Sequence, residues 1–162
     1  MRRTLLLLSL LFSPAVHAQS PDAQSIIDAA SAKHGTDRLV ASVVDFDFRG
    51  RHFTVRHEDG LFTYTRAYED STGLVEDILS NDGFVRHLNG QPVALSDRMR
   101  AILPVSVNSV VYFAFLPHKL NDPAVKKRRL ADAVIKGQAY QTVEVTFEQE
   151  GGGADWHDVF IY

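Results

Sequence analysis

Hydrophobic and polar residues alternate over the centre of the chain. Val44, Phe46 and Phe48 occupy every second position of the first run, and the following runs keep this period of two. Such alternation is typical of strands that bury one face. Glycine-containing turn sequences such as Asn89-Gly90 separate the runs and indicate hairpins. The pattern therefore predicts a continuous antiparallel meander from Ser42 to about Leu95.

A helical period precedes the meander. The apolar residues that share one stripe at helical spacing are Ala23, Ile26, Ile27 and Ala30. Ser20 or Asp22 is a candidate N-cap, and Pro21 suits the first helical position. Gly35 is a candidate residue for the end of the helix. The sequence therefore predicts one amphipathic helix before the first strand.

A second helical region follows the meander. Ser96-Asp97 is a candidate cap for a short helical turn through Ile102, and Pro104 is expected to end that turn. Residues 105–116 are unusually apolar and rich in β-branched side chains, but polar residues break the alternation that a strand would show. This segment is therefore predicted to be a buried helix of three turns or fewer.

Strands return in the last third of the chain. Alternating runs at 130–135 and 139–147 predict a hairpin, and a glycine-rich loop at 150–158 leads to a last strand at 159–162. The chain stops inside this apolar run, although an exposed apolar edge strand favours aggregation. The ending therefore indicates that the domain is incomplete at its C-terminal side.

The first eighteen residues have the layout of a secretory signal peptide. Arg2-Arg3 is a short basic start, residues 4–12 form an apolar run, and small residues precede a cleavage site after Ala18. The run is too short to span a bilayer. We therefore expect a signal peptide at 1–18 and a single domain at 19–162. That domain is expected to be periplasmic or secreted, and soluble without a transmembrane span.

Composition excludes several classes of protein. The chain has no cysteine, so neither a lipid-modified N-terminal cysteine nor a disulfide is available. The formal net charge is −3, and removal of the two arginines of the signal peptide makes it more negative. Nucleic acid is therefore a disfavoured partner, and the basic residues 126–129 are interpreted as a solvated turn. No phosphate-binding or dinucleotide motif is present, so no cofactor is predicted.

Several short segments, spread over the whole mature chain, together form a family signature. They are His34-Gly35, residues 44–50, 79–84 and 108–113, Leu116-Pro117, residues 120–123, 145–153 and 158–160. These segments resemble an uncharacterised family of secreted bacterial proteins in the superfamily of outer-membrane lipoprotein carriers (Lol-type). That family has no established reaction, so the resemblance does not identify an activity.

The resemblance implies an α+β fold with a strongly curved antiparallel sheet. This sheet is an incomplete β-barrel, and short helices cover its concave face in addition to the N-terminal helix. In the characterised carriers, the cavity of this fold receives the acyl chains of lipoproteins. The resemblance also implies further strands after Tyr162.

Nine apolar residues are candidates for the lining of such a cavity. Some come from the meander and the others from the apolar segment at 105–116, which is a candidate lid. They are Phe46, Phe48, Phe53, Phe62, Tyr64, Val110, Val111, Phe113 and Phe115. The same side chains also suit a filled core, because apolar stripes more often pack than form pockets. Both interpretations stay open.

The expected function is an exported, non-enzymatic binder or carrier of a hydrophobic ligand, such as a lipid or a lipoprotein acyl chain. One alternative is a metal- or carboxylate-dependent hydrolase that uses the acidic, glycine-rich loop at 148–158. Its low-ranking candidate ligands are Glu148, Glu150, Asp155, His157 and Asp158. Their spacing matches no established calcium or zinc motif, and solvated turn residues also explain them. Another alternative is an envelope interaction module that uses Trp156.

The histidines do not form a recognisable ligand set. By strand parity, His52 and His57 lie on opposite faces of one strand and are not expected to share a ligand. His87 and His118 are distant in sequence, and the pattern does not place them. We therefore predict no catalytic residue and no metal site among them.

Overall fold

The larger of the two sheets in the described residues is the meander that the sequence predicts. The computed structural model describes residues 21–148 and the backbone of residues 157–161. Six antiparallel strands follow one another in sequence order across this sheet. They are β1 (Ser42–Phe48), β2 (Arg51–Glu58), β3 (Leu61–Asp70), β4 (Gly73–Ser80), β5 (Gly83–Leu88) and β6 (Gln91–Pro92). The antiparallel meander is therefore confirmed.

Tight turns at the predicted glycine positions set the register of this sheet. Arg49-Gly50 has φ values of 52° and 69°, and Asn89-Gly90 has φ values of 51° and 77°. Two consecutive positive φ values give the turn type whose twist matches a β-hairpin. In the resulting register Phe46 lies opposite Phe53, and their rings stack with centroids 5.2 Å apart.

One side of the larger sheet carries its buried residues. Phe53, Val55 and Tyr64 are almost completely buried on this side. Asp45 and His52, which lie at the opposite parity, are exposed. The alternation in the sequence therefore identifies correctly which side of β1, β2 and β3 faces the core.

Helix α2 (Asp97–Ala114) covers the buried side of this sheet as one element of 18 residues. The Oγ atom of Ser96 caps it by accepting a hydrogen bond from the backbone N–H of Met99. The sequence predicts two short pieces separated at Pro104, and this prediction is wrong. Pro104 lies inside the continuous helix.

Packing explains why the helix continues through Pro104. Val107 and Val111 are one turn apart and fully buried, and Phe115 extends the same stripe just beyond the helix. An interior proline costs about 3 kcal/mol, because it lacks a donor and crowds the preceding turn. Full burial of one large apolar side chain contributes about 1.5–3 kcal/mol. The buried stripe therefore outweighs the proline.

A smaller antiparallel sheet packs against the N-terminal helix. Its strands, in spatial order, are β7 (Val125–Ile135), β8 (Gln138–Phe147) and β9 (His157–Ile161). Helix α1 (Ala23–His34) and this sheet share one buried cluster, in which Ile27 and Val143 are fully buried. The sequence pattern does not indicate that this core is distinct from the core on the larger sheet.

The ends of helix α1 follow the sequence signals. Asp22 is the N-cap, and its Oδ1 atom accepts a hydrogen bond from the Ser25 N–H at 2.8 Å. Pro21 therefore lies before the cap, not in the first helical turn as predicted. Gly35 ends the helix with φ of 66°, a left-handed conformation that glycine adopts without strain.

Two 3-10 turns connect the helices to the strands. They are Thr36–Leu39, which follows α1, and His118–Asn121, which follows α2 and a cis Leu116–Pro117 peptide. Tyr112 and Leu120 belong to the core on the smaller sheet. Because Val107 and Val111 belong to the core on the larger sheet, the end of α2 and the turn after it lie between both cores.

The α+β class with antiparallel sheets is confirmed, but the strands do not form one sheet. In the described residues the larger sheet is not closed into a barrel, and β7 to β9 form a separate sheet. The separation follows from the chain path, since β6 has only two residues and α2 lies between it and β7. Helix α2 is also longer than the short covering helices that were expected.

Several predictions concern residues that lie outside the described part of the chain. The signal peptide at 1–18 and the last residue, Tyr162, are among them. Of the helices within residues 21–148, none combines the length and the apolar character that crossing a bilayer requires.

Candidate functional site

A cleft of about 850 Å³ opens between the larger sheet, helix α2 and the segment that follows α2. Much of its wall is apolar. The apolar residues from the sheet, the first 3-10 region and α2 are Val40, Leu61, Phe62, Leu79, Pro104 and Val105. Small-molecule sites in proteins have volumes of about 300–1,000 Å³. The cleft is therefore large enough for a ligand of ordinary size.

Besides Asn81 and Asn108, five polar residues line the same cleft, and we call these five the polar cluster. They are His57, Tyr64, His118, Lys119 and Asp122. The ammonium group of Lys119 donates a hydrogen bond to the Tyr64 hydroxyl oxygen at 3.1 Å and forms an ion pair with Asp122. The Lys119 side chain is only 9% exposed, whereas that of Asp122 is 39% exposed. The lining of the cleft therefore includes a nearly buried cation.

The two histidines complete the polar cluster. The Nε2 atom of His57 lies 3.2 Å from the Tyr64 hydroxyl oxygen, so this oxygen lies between His57 and Lys119. The rings of His57 and His118 have centroids 5.8 Å apart. His57 comes from β2, Tyr64 from β3 and His118 from the turn after α2. The fold thus brings together residues that are more than fifty positions apart.

Burial and neighbouring charge determine the protonation states of the polar cluster. Burial is the largest cause that lowers the pKa of His57 below 6.5, and the charge of Lys119 acts in the same direction. The pKa of His118 is lowered for the same two reasons. Burial opposes the charge of Lys119, but the interactions with Asp122 and Tyr64 together outweigh it and raise its pKa above 10.5. Neutral pH therefore favours neutral imidazoles beside a charged ammonium.

The His57–Tyr64 hydrogen bond leaves part of the hydrogen-bonding capacity of the polar cluster unused. The Nδ1 atom of His57 is buried and has no hydrogen-bond partner among the described residues. If Tyr64 donates to Nε2, the proton of neutral His57 is on Nδ1 and lacks an acceptor. If His57 donates to Tyr64 instead, the phenol proton lacks an acceptor and the lone pair of Nδ1 lacks a donor. In both arrangements one donor is left over.

A second buried charged group lies on the same sheet, and we call it the arginine cluster. It consists of Arg66, Asp77 and Arg86, with Asp77 completely buried. Arg66 donates to Oδ2 of Asp77 at 3.0 and 2.5 Å, and Arg86 Nε donates to Oδ1 at 2.6 Å. A further Arg66 nitrogen donates to Ser106 Oγ of helix α2 at 2.8 Å. None of these residues lines the cleft, so the arginine cluster attaches α2 to the sheet.

The nine candidate cavity residues divide between core, cleft and surface. Those buried in the core on the larger sheet are Phe53, Tyr64, Val111 and Phe115. Those packed against this core and partly buried are Phe46, Phe62 and Val110. Phe48 and Phe113 are 42% and 48% exposed. Of the nine, Phe62 and Tyr64 line the cleft, which therefore lies at the edge of the predicted apolar stripe.

The acidic loop is described only at its ends. Glu148 forms an ion pair with Lys126, with Oε1 and Nζ 3.2 Å apart. Glu150, Asp155 and Trp156 lie outside the described residues, and His157 and Asp158 are described in backbone only, as part of β9. In the part of the chain whose side chains are described, no three His, Asp or Glu residues are arranged to hold a metal ion.

Sequence reasoning missed most of the polar cluster. The parity of β2 places His57 on the same side as Phe53 and Val55, and a polar residue at an inward position was an available signal. Lys119 and Asp122 had no comparable signal, because they lie in an irregular turn without periodicity. His118 approaches His57 only through the tertiary fold.

Comparisons with known proteins give a family but no activity. Neither the curated proteins nor the solved structures provide a match to this chain. A model of a protein family does match it, over residues 1–162, and the description of that family assigns no function. The likeness to lipoprotein carriers therefore stays a prediction. With the match extending over its whole length, the chain belongs to the family of unknown function DUF6503.

Proposed function

We propose that this protein binds a hydrophobic or amphipathic small molecule in the cleft and serves as an exported, non-enzymatic carrier. The observation that carries the proposal is the cleft of about 850 Å³, with apolar walls and a polar cluster in one part of its lining. Binding sites for small molecules combine a mostly apolar wall with a few polar groups that orient the ligand. The cleft has this composition.

Exposed apolar side chains support the proposal. Val40, Leu61 and Val105 line the cleft and are 59%, 60% and 49% exposed. They come from three separate segments of the chain, so their grouping is a property of the fold. Adjacent exposed apolar residues mark interaction sites more often than isolated ones do. A ligand in the cleft would remove this surface from water.

The architecture is compatible with a carrier. Helix α2 covers one side of an antiparallel sheet, and the cleft is lined by residues of both and of the segment after α2. The proposal also includes three features that the sequence predicts. They are the curved, incomplete-barrel form of the carriers, export by the signal peptide at 1–18 and a periplasmic location.

A neutral fluorescent probe tests the proposal directly. N-phenyl-1-naphthylamine fluoresces when it enters an apolar site, so titration of the full chain reports binding. We expect saturable binding that Leu61→Asp or Val105→Asp weakens by about tenfold or more, because a carboxylate in the cleft must be desolvated. Both residues are exposed, so these variants are expected to fold.

Val134→Asp is the matched control, because Val134 is 72% exposed on β7 and does not line the cleft. It should leave the affinity unchanged. Absence of saturable probe binding to the unsubstituted chain would refute the proposal. An equal loss in all three variants would show that the probe binds elsewhere.

A further inference from the structure

We infer that the polar cluster is a binding site for an oxyanion. The ligand is then a single-chain amphiphile with an anionic head group of the carboxylate or phosphate type. The inference rests on the proposed function, and it specifies the chemistry of the head group. The apolar walls of the cleft would hold the chain. The polar cluster would hold the oxygen atoms.

The first support is a hydrogen-bond donor of the His57–Tyr64 pair that has no acceptor. Lys119 donates to Tyr64 and pairs with Asp122, and either His57 or Tyr64 retains a proton without an acceptor among the described residues. A buried donor without an acceptor costs free energy. An ionised carboxylate or phosphate offers only acceptor oxygens, so it suits both the Lys119 ammonium group and the donor that lacks an acceptor.

The second support is the charge and the accessibility of the groups. Lys119 is the cation among the residues that line the cleft, and its side chain is nearly buried, so its charge acts in a medium of low polarity. Its present counter-ion, Asp122, is 39% exposed and can be solvated by water when another anion approaches. An incoming oxyanion can therefore replace Asp122 beside Lys119 without leaving a buried carboxylate unpaired.

The third support is the difference from the arginine cluster. There both oxygens of Asp77 accept hydrogen bonds from guanidinium groups, and the cluster does not line the cleft. A ligand would have to break those bonds to bind. The polar cluster lines the cleft, and one of its donors has no acceptor among the described residues.

Calorimetric titrations with ligands of one chain length test the inference. Decanoate, decyl phosphate, decanol and methyl decanoate are each titrated into the full chain below their aggregation concentrations. We expect at least one of the two anions to bind about tenfold or more tightly than both neutral ligands, as one charge-assisted hydrogen bond would give. The relative affinities of decanoate and decyl phosphate identify the head group.

Lys119→Met keeps a long side chain and removes the charge. It should reduce the preference for the anion to about twofold or less while the neutral probe still binds. Tyr64→Phe should also reduce the preference for the anion. This variant provides the test if Lys119→Met does not fold. Lys126→Met is the matched control, because Lys126 is 62% exposed and does not line the cleft.

The outcomes separate this inference from the proposed function. If the probe binds but anions and neutral ligands bind equally, the polar cluster is not an oxyanion-binding site, although the cleft remains a binding site. If an anion preference is unchanged in Lys119→Met and Tyr64→Phe, the head group binds elsewhere and the inference fails. If neither the probe nor any of the four ligands binds, both proposals fail.

Discussion

The arginine cluster and the polar cluster lie on the same side of the larger sheet, but only the polar cluster reaches the cleft. They are adjacent, since Tyr64 and Arg66 are two positions apart on β3 and both are buried. Each cluster joins strands of the sheet to an element that covers it, helix α2 or the turn after α2. A buried charge alone therefore does not identify a functional site.

Hydrogen bonding and access distinguish the two clusters. In the arginine cluster, the completely buried Asp77 accepts hydrogen bonds at both oxygens. This arrangement is typical of a structural network. In the polar cluster the His57–Tyr64 pair keeps an unused donor, and Asp122 is partly exposed. The first cluster is therefore expected to determine stability and the second to determine binding.

Removal of one carboxylate should have the largest effect on stability. Asp77→Ala leaves two guanidinium groups without their buried partner, so we expect the free energy of unfolding to fall by about 3–5 kcal/mol. Lys119→Met replaces a nearly buried cation with an apolar side chain and leaves Asp122 in contact with water. We expect that change to be about 1 kcal/mol or less. Urea denaturation of both variants measures the difference.

Equal destabilisation by the two substitutions would contradict the division into a structural and a binding cluster. So would a larger loss in Lys119→Met than in Asp77→Ala. A change in the slope of the denaturation curve would show that the two-state comparison does not apply, so the slopes must be compared first.

The pH dependence of stability should differ in sign between the two faces of β2. Burial lowers the pKa of His57 below 6.5, so its contribution to stability is present above about pH 6.5 and is lost as the pH falls through its folded pKa. A hydrogen bond to Asp47 raises the pKa of the exposed His52. Its contribution is present below about pH 6.5 and is lost as the pH rises through its folded pKa. Both effects are expected to be smaller than that of Asp77→Ala.

Thermal unfolding between about pH 5 and pH 8 tests this pair, because histidine titrates in that range. His57→Gln should flatten the acidic side of the profile, and His52→Gln should flatten the basic side. The groups that face His57 are Tyr64, His118, Lys119 and Asp122. The pKa of His118 is also lowered, so His118 also reduces stability at acidic pH. His57→Gln should therefore reduce the acidic slope without abolishing it. The opposite assignment of the two slopes would show that His57 is not buried in the way described.

Much of the fold follows from the sequence because short-range rules determine it. The period of two and the glycine turns locate the meander, and Asp22 and Gly35 fix the ends of α1. Helix α2 shows where such rules fail. Pro104 locally favours a break, but the burial of Val107 and Val111 against the sheet outweighs it.

The candidate site follows from the sequence to a smaller extent. The apolar stripe identifies Phe62 and Tyr64, which line the cleft, together with residues such as Phe53 that fill the core. Core and cleft have the same sequence pattern, because both require inward apolar side chains. Lys119 and Asp122 come from a turn without periodicity, and only the tertiary fold brings them to Tyr64.

Intermolecular nuclear Overhauser effects between decanoate and the methyl groups of the isotope-labelled full chain show whether the ligand binds in the cleft. These effects report distances of a few ångströms. We expect contacts from the chain of the ligand to the methyl groups of Val40, Leu61, Leu79 and Val105, which line the cleft, and none to Val134. Contacts to Val134 or to other methyl groups outside the cleft, or no contacts at a saturating ligand concentration, would show that the cleft is not the binding site.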